Sequence, residues 1–316
     1  MLQWGDRVPP DKPLNLTARD AELLRALWAY NFLSTDQIHR LWWADAGLRR
    51  AQRRLGWLFH TGYVERFRPK TLRGSFPWTY MLAGPGHELL VSAGLIRPAR
   101  FRAREVFDFS TVVHDLEVND WAIAFQRLAG ERLLEWRGPR EATIEVPGGK
   151  RRDPLVDDHV HDLALNHPRP VVPDAGLVLW HQDEPLLLLV ELDRTRRPDK
   201  NHRKFLRYDA LISWWWKHSD LRDTYAQPPL VVFVCQDDAH LESFVAAADT
   251  ALTGRRAGYG QDAYPARERI CFALADDLGA GTGRVMLPPA EPPKRRRDEA
   301  GSEVREPRRV ILPGLG

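Results

Sequence analysis

Two apolar runs of strand length constrain this chain more than any other feature. The first, Ala175-Gly176-Leu177-Val178-Leu179-Trp180, opens directly after Pro173-Asp174. The second, Leu186-Leu187-Leu188-Leu189-Val190, runs into Glu191, with Asp193 two positions on. Between them lies a polar turn, His181-Gln182-Asp183-Glu184-Pro185. Runs this short and apolar, bounded by turn residues, read as buried strands. A hairpin built from them brings the start of the first strand beside the end of the second. Side chains alternate across a sheet, so Glu191 and Asp193 share a face. Asp174, Glu191 and Asp193 then converge at one sheet edge. Like charges at short range repel unless a cation sits between them, and a hard divalent ion bound by oxygen meets that need.

The surrounding pattern supplies a core. A helix is expected from about Ser110 to Leu128, then a strand, Leu133 to Trp136, and a long polar segment, 138–172, read as a loop with room for one added hairpin. The two acid-bearing strands follow. Pro198 opens a helix through Lys204, Tyr208 and Leu211 to about Lys217. Leu230 to Cys235 is fully apolar and reads as a central strand. A helix, Ala239 to Leu252, and a strand, Arg269 to Leu274, complete the series. Cys235 and Cys271 each sit in an apolar run and read as buried thiols, too few for a zinc site or a disulfide framework. Asp157-Asp158-His159-Val160-His161-Asp162 has a His-x-His spacing suited to zinc or manganese. It lies in the long loop without matching partners, which favours a solvated polar loop.

Charge divides the chain. Residues 1–100 hold 15 Lys and Arg against 8 Asp and Glu, whereas residues 101–289 hold 24 against 30. A basic front beside an acidic middle suits a nucleic-acid-binding module next to a carboxylate site. The front reads as three helices, Arg19 to Tyr30 after Thr17, Gln37 to Trp43 after the cap signal Leu33-Ser34-Thr35-Asp36, and Ala46 to Thr61, with Leu48, Ala51, Leu55 and Leu58 as the third helix's apolar stripe. Tyr63 to Arg68 and Thr79 to Leu82 then read as strands joined by a basic link. Three helices and a hairpin are the order of a winged helix-turn-helix, whose third helix enters the major groove. Arg49, Arg50, Gln52, Arg53 and Arg54 are the candidate DNA contacts on that helix, and Lys70 and Arg73 the candidate wing contacts to phosphate. Two alternatives stay open: a solvated helix face, and a dimerisation module that binds no DNA.

The core's order, with acids on its second and third strands, resembles the PD-(D/E)XK nuclease superfamily on Pro173-Asp174 and Glu191-Leu192-Asp193. The resemblance implies an αβββαβ, restriction-endonuclease-like core with a mixed sheet, two acids holding Mg²⁺ or Mn²⁺, and a lysine two residues after the second acid. Position 193 is Asp instead. Lys204 on the next helix has a stem long enough to supply the ammonium. Glu117 occupies the place where some members carry a further metal-binding acid. The whole chain is similar, more closely, to the replication-relaxation family of bacterial plasmids and mobile elements. That likeness rests on His114-Asp115-Leu116-Glu117-Val118-Asn119-Asp120, Pro173-Asp174, Glu191-Leu192-Asp193-Arg194-Thr195, Lys204 and Tyr208.

These readings imply a winged-helix domain at 1–100, a nuclease-like domain at 101–280 and a charged Pro/Gly-rich tail at 281–316. The tail reads as disordered, except that Val310-Ile311-Leu312-Pro313 can dock as an added strand. No apolar stretch is long enough to span a membrane, and the first residues lack a signal-peptide pattern, so a cytoplasmic protein is expected. Expected partners are double-stranded DNA, a second copy in a homodimer, and other mobile-element proteins. One function is a metal-dependent nickase or endonuclease with Asp174, Glu191, Asp193 and Lys204 at its site. The other is a catalytically inactive, sequence-specific DNA-binding regulator or replication accessory that keeps the fold as a binding or dimerisation scaffold. A relaxase role for Tyr208 as nucleophile is the lesser reading beside packing on the helix. Trp214-Trp215-Trp216 cannot all face one way, so one is expected to meet another surface.

Overall fold

The computed structural model describes residues 7–8, 15–68, 70–71, 74–98, 101, 109–145, 170–194, 198–213, 215–253, 264–279, 283–289 and 307–312. The chain divides into two compact units, Met1–Ile123 and Ala124–Gly316.

The first unit holds helices α1 (Ala18–Tyr30), α2 (Thr35–Trp42), α3 (Leu48–His60) and α4 (Gly84–Ser92), with the first part of α5 (Phe109–Ala129). Capping boxes start α1 and α2: the Thr17 hydroxyl accepts from the Asp20 N–H, and the Ser34 hydroxyl from the Gln37 N–H. β1 (Leu33–Ser34), β2 (Val64–Phe67) and β5 (Thr79–Leu82) form an antiparallel sheet in the order β1-β5-β2, and β3 (Lys70–Thr71) pairs with β4 (Gly74–Ser75). The expectation contained the three helices and the β2–β5 hairpin but not β1, whose two residues gain strand character only by pairing with Tyr80 and Thr79. Leu23, Leu24, Ile38, Leu55 and Leu58 are fully buried between these helices.

The second unit is built on a seven-stranded mixed sheet in the order β12-β11-β10-β9-β8-β7-β6. Its strands are β6 (Leu133–Arg137), β7 (Ala175–His181), β8 (Glu184–Leu192), β9 (Leu230–Cys235), β10 (Ile270–Leu274), β11 (Arg284–Leu287) and β12 (Arg308–Ile311). α6 (Pro139–Ala142), α7 (Pro198–Ser213), α8 (Leu221–Thr224), α9 (Asp238–Ala251) and α10 (Ala275–Gly279) complete it. The series α5, β6, β7, β8, α7, β9 is the expected αβββαβ order, with β8 antiparallel to β7 and parallel to β9.

The β7–β8 turn contains only Gln182 and Asp183, both at positive φ (50° and 63°), so β8 begins at Glu184. Two consecutive residues at positive φ match the right-handed twist of the flanking strands. One face of the sheet packs on α7 and α9: Leu187, Leu189, Val231, Phe233 and Phe272 meet Phe205, Tyr208, Leu211 and Phe244 in a single buried cluster. Phe205 packs edge-on against Phe233, Phe244 and Phe272. Each such ring removed from water contributes roughly 2–3 kcal/mol.

The tail departs from its expectation at β11 and matches it at β12. β11 and β12 extend the sheet, with Val285 opposite Val310 and Leu312 buried. The terminal run thus docks on its own core. Arg267, 2% exposed, fastens this edge by donating to the carbonyl of Pro289 at 2.8 Å and to that of Leu252 at 3.1 Å. α7 ends at Ser213; Trp215 and Trp216 are buried in the core, and Trp214 lies outside the described residues. The His159–His161 segment also lies outside them.

Candidate active site

Glu191 is one of the charged side chains buried in the second unit, with Asp209 and Arg267. It has the same strand parity as Leu187 and Leu189, so it points to the α7 face, opposite Phe233 on β9. It is 1% exposed. Lys204 and Tyr208 lie four apart on α7 and therefore on one helix face. Tyr208 donates its hydroxyl to Glu191 Oε1 at 2.5 Å, and the Lys204 ammonium donates to Oε2. One helix thus grips both oxygens of one buried carboxylate. The rings and stems meet again on Phe233, with Tyr208 edge-on and Lys204 Nζ 5.9 Å from the ring centroid.

Asp174 stands across the hairpin. Its N–H donates to the Val190 carbonyl at 2.9 Å, and its Oδ2 accepts from the Leu192 N–H at 2.8 Å, so it is clamped beside Glu191. The electrostatics bind the group together. Burial pushes the Glu191 carboxyl up; Lys204 opposes this and Asp174 adds to it, leaving the group at about 7. Burial pushes the Lys204 ammonium down, but Glu191, Asp174 and Asp193 outweigh it and hold it above the ordinary lysine value. Burial, followed by Glu191, raises the Tyr208 phenol well above its usual range. Tyr208 is 1% exposed and committed to Glu191, which is incompatible with its acting as a nucleophile on DNA.

The expected trio of carboxylates is not what forms. β8 ends at Leu192, so Asp193 has left the strand that would have aligned it. Among the described residues no three His, Cys, Asp or Glu side chains cluster closely enough to hold an ion together. A Mg²⁺ ion does not require three: one or two carboxylates, waters and a substrate phosphate complete its shell. Asp174 and Glu191 fit that demand as oxygen donors whose mutual repulsion raises Glu191. Glu117 lies on the part of α5 that belongs to the first unit.

In the first unit, α3 separates its faces cleanly. Ala51, Leu55, Leu58 and Phe59 are buried, while Arg49, Arg50, Gln52 and Arg53 are exposed. Its first turn carries no acid, and its N-cap, Gly47, makes no side-chain bond. Arg54 differs from its neighbours. Its Nε donates to Asp20 Oδ1 at 2.8 Å, a second nitrogen pairs with Oδ2, and it also donates to the Asn15 carbonyl at 2.8 Å. Asp20 is 1% exposed, and burial raises its carboxyl while Arg54 and Thr17 more than offset that. Arg54 is thereby committed to Asp20 and Asn15, unlike its exposed neighbours on α3. Arg73 and the Lys70 side chain lie outside the described residues.

The His114–Asp120 motif proves to be a fastening. Asn119, buried, donates to the Phe32 carbonyl at 2.5 Å and to that of Tyr30 at 3.3 Å. Gln37 donates to the Leu116 carbonyl at 2.7 Å, and Arg40 pairs with Asp120. The sequence profile of the replication-relaxation family matches residues 24–223, which spans this fastening, α3, Asp174, Glu191, Lys204 and Tyr208. That is more than half of the 316 residues. The chain belongs to the replication-relaxation family. No curated protein sequence matched it. Among solved structures, the restriction endonuclease FokI bound to DNA aligns with 85% of this chain and 47% of its own, at 13% identity and a TM-score of 0.24. The chain spans about half the length of that structure's chain, and so slight a likeness carries neither fold nor function. No helix among the described residues is long and apolar enough to cross a membrane.

Proposed function

We propose that this member of the replication-relaxation family binds double-stranded DNA through its first unit and cleaves or nicks it, with Mg²⁺ or Mn²⁺, at Asp174, Glu191 and Lys204. The observation that carries the reading is the meeting of Lys204 with Glu191 beside Asp174. Asp193 stands where a nuclease of this kind places its lysine. The ammonium reaches the same carboxylate from α7 instead.

The residues divide the work. Asp174 and Glu191 are the oxygen donors for the ion. A bound divalent ion supplies charge neutralisation at the scissile phosphate and a more acidic water. Tyr208 holds Glu191 in one orientation. Lys204 keeps its charge and, with a side chain 38% exposed, has room to turn toward a phosphate oxygen and the attacking water. Asp193 acts on Lys204 as a further negative charge.

The first unit's order of three helices and a hairpin supports a winged helix. Arg49 and Arg50 lie in the first turn of α3, where cations oppose the helix dipole by roughly 0.3–1 kcal/mol each. A phosphate docked there relieves that opposition. Arg49, Arg50, Gln52 and Arg53 are the proposed contacts on α3, and Lys70 and Arg73 those on the hairpin tip. The setting proposed is a cytoplasmic homodimer on a plasmid or other mobile element.

A second reading, a DNA-binding regulator on an inactive nuclease fold, draws on the engagement of both Glu191 oxygens by α7. A calorimetric Mn²⁺ titration separates the two. The nuclease reading expects one ion per chain, lost in Asp174→Ala and retained in Lys204→Met. Absence of any bound ion together with metal-free protection of a DNA site favours the regulator.

A further inference from the structure

The cationic face of α3 contains one residue of another kind. Trp57 is 45% exposed, on a helix whose other large apolar side chains past the first turn, Leu55, Leu58 and Phe59, are buried. At 3.6 residues per turn, Arg49, Arg53 and Trp57 follow one another at steps of four, and Arg50 lies two turns before Trp57. The indole therefore shares the solvent side of α3 with these arginines, C-terminal to all three and away from the Ala51, Leu55 and Leu58 stripe. It is also braced. The Arg54 guanidinium lies 5.8 Å from its ring centroid, and that guanidinium is anchored by the buried Asp20, which Thr17 holds in a capping box. Arg54 thus presents one face of a fixed cation to the tryptophan.

We propose that Trp57 is a specificity-determining contact to base edges in the major groove, the apolar end of a cationic docking face for duplex DNA. The inference rests on the DNA-binding reading given above and assigns within it a role that charge does not supply. Arginines beside an exposed indole select an anionic partner. A large rigid side chain contributes area at low entropic cost, and in the major groove the thymine methyl is its natural apolar counterpart. Arginine contacts to phosphate release counterions and depend steeply on salt, whereas an apolar base contact does not.

The two contributions separate in one experiment on the full chain. A randomised duplex pool is selected by the wild type, Trp57→Ala and Arg53→Ala. The affinity of each for the enriched duplex is then measured across a salt series. Trp57→Ala should lose about tenfold or more in affinity with an unchanged salt slope, and should lose sequence preference at a base step in the enriched site. Arg53→Ala should flatten the slope by about one unit. Trp57 is exposed, so the thermal midpoint of Trp57→Ala should match the wild type. Unaltered affinity and sequence preference in Trp57→Ala, beside a wild type that binds, overturn the role of Trp57 while leaving DNA binding intact. Dissociation of a wild-type dimer by Trp57→Ala overturns it in favour of a second copy on this face. Absence of any salt-dependent binding by the wild type overturns the DNA-binding reading itself, and this inference with it.

Discussion

Glu191 decides most of the chemistry, because it is a carboxylate inside a core. Its carboxyl is raised from 4.5 to about 7, chiefly by burial. An acid whose folded value exceeds its unfolded value binds more protons when folded, so its contribution to stability is complete below about 4.5 and is lost as pH rises through about 7. Denaturant titrations at pH 5 and pH 8 should therefore show the wild type weakening by on the order of 3 kcal/mol relative to Glu191→Gln. Metal binding requires the ionised carboxylate and should strengthen over the same window. Arg54 and Arg53 make the second contrast. Arg54→Ala leaves the buried Asp20 unpaired and should cost about 3–5 kcal/mol. Arg53→Ala should stay within about 0.5 kcal/mol, with denaturant midpoints as the check. The sequence did not separate these two arginines. Both fall outside the apolar stripe of α3, and the partner that distinguishes them lies on α1.

At the scale of elements, the core strands and their order were legible because apolar runs bounded by turns carry their own signal. β1 and β11 were not, and β12 was legible only as a terminal apolar run able to dock as an added strand. Leu33-Ser34, Arg284 to Leu287 and Arg308 to Ile311 are short or charged, and neighbouring strands, not composition, make them strands. Of the carboxylate site, the positions of Asp174 and Glu191 followed from hairpin register. The meeting with Lys204 followed only once α7 was packed, since a lysine's reach is a property of tertiary placement. Asp193 lies one residue past the end of β8, and its charge acts on Lys204. The β7–β8 turn offers a test at this scale. Gln182 and Asp183 occupy positive φ, a conformation that Asn-Gly adopts with less strain. Gln182→Asn with Asp183→Gly should raise stability by about 1 kcal/mol, read from the thermal midpoint.

At the scale of the molecule, a basic first unit is joined to a second unit in which the β7–β8 hairpin brings two carboxylates together and α7 adds an ammonium. In the proposed function the first supplies affinity for a polyanion, and the second supplies oxygen donors and a cation suited to phosphate chemistry. The family to which the chain belongs unites both parts, since residues 24–223 run from α1 past α7. The central claim is that Asp174, Glu191 and Lys204 hydrolyse a phosphodiester with a divalent ion. Its most direct test is conversion of supercoiled plasmid to nicked or linear product with Mg²⁺ or Mn²⁺. Cleavage by the wild type, lost by a factor of about 10³ or more in Asp174→Ala and Glu191→Ala and strongly reduced in Lys204→Met, is the predicted result. Wild-type protein that leaves the plasmid supercoiled with either ion, or cleavage undiminished in Asp174→Ala, would contradict it.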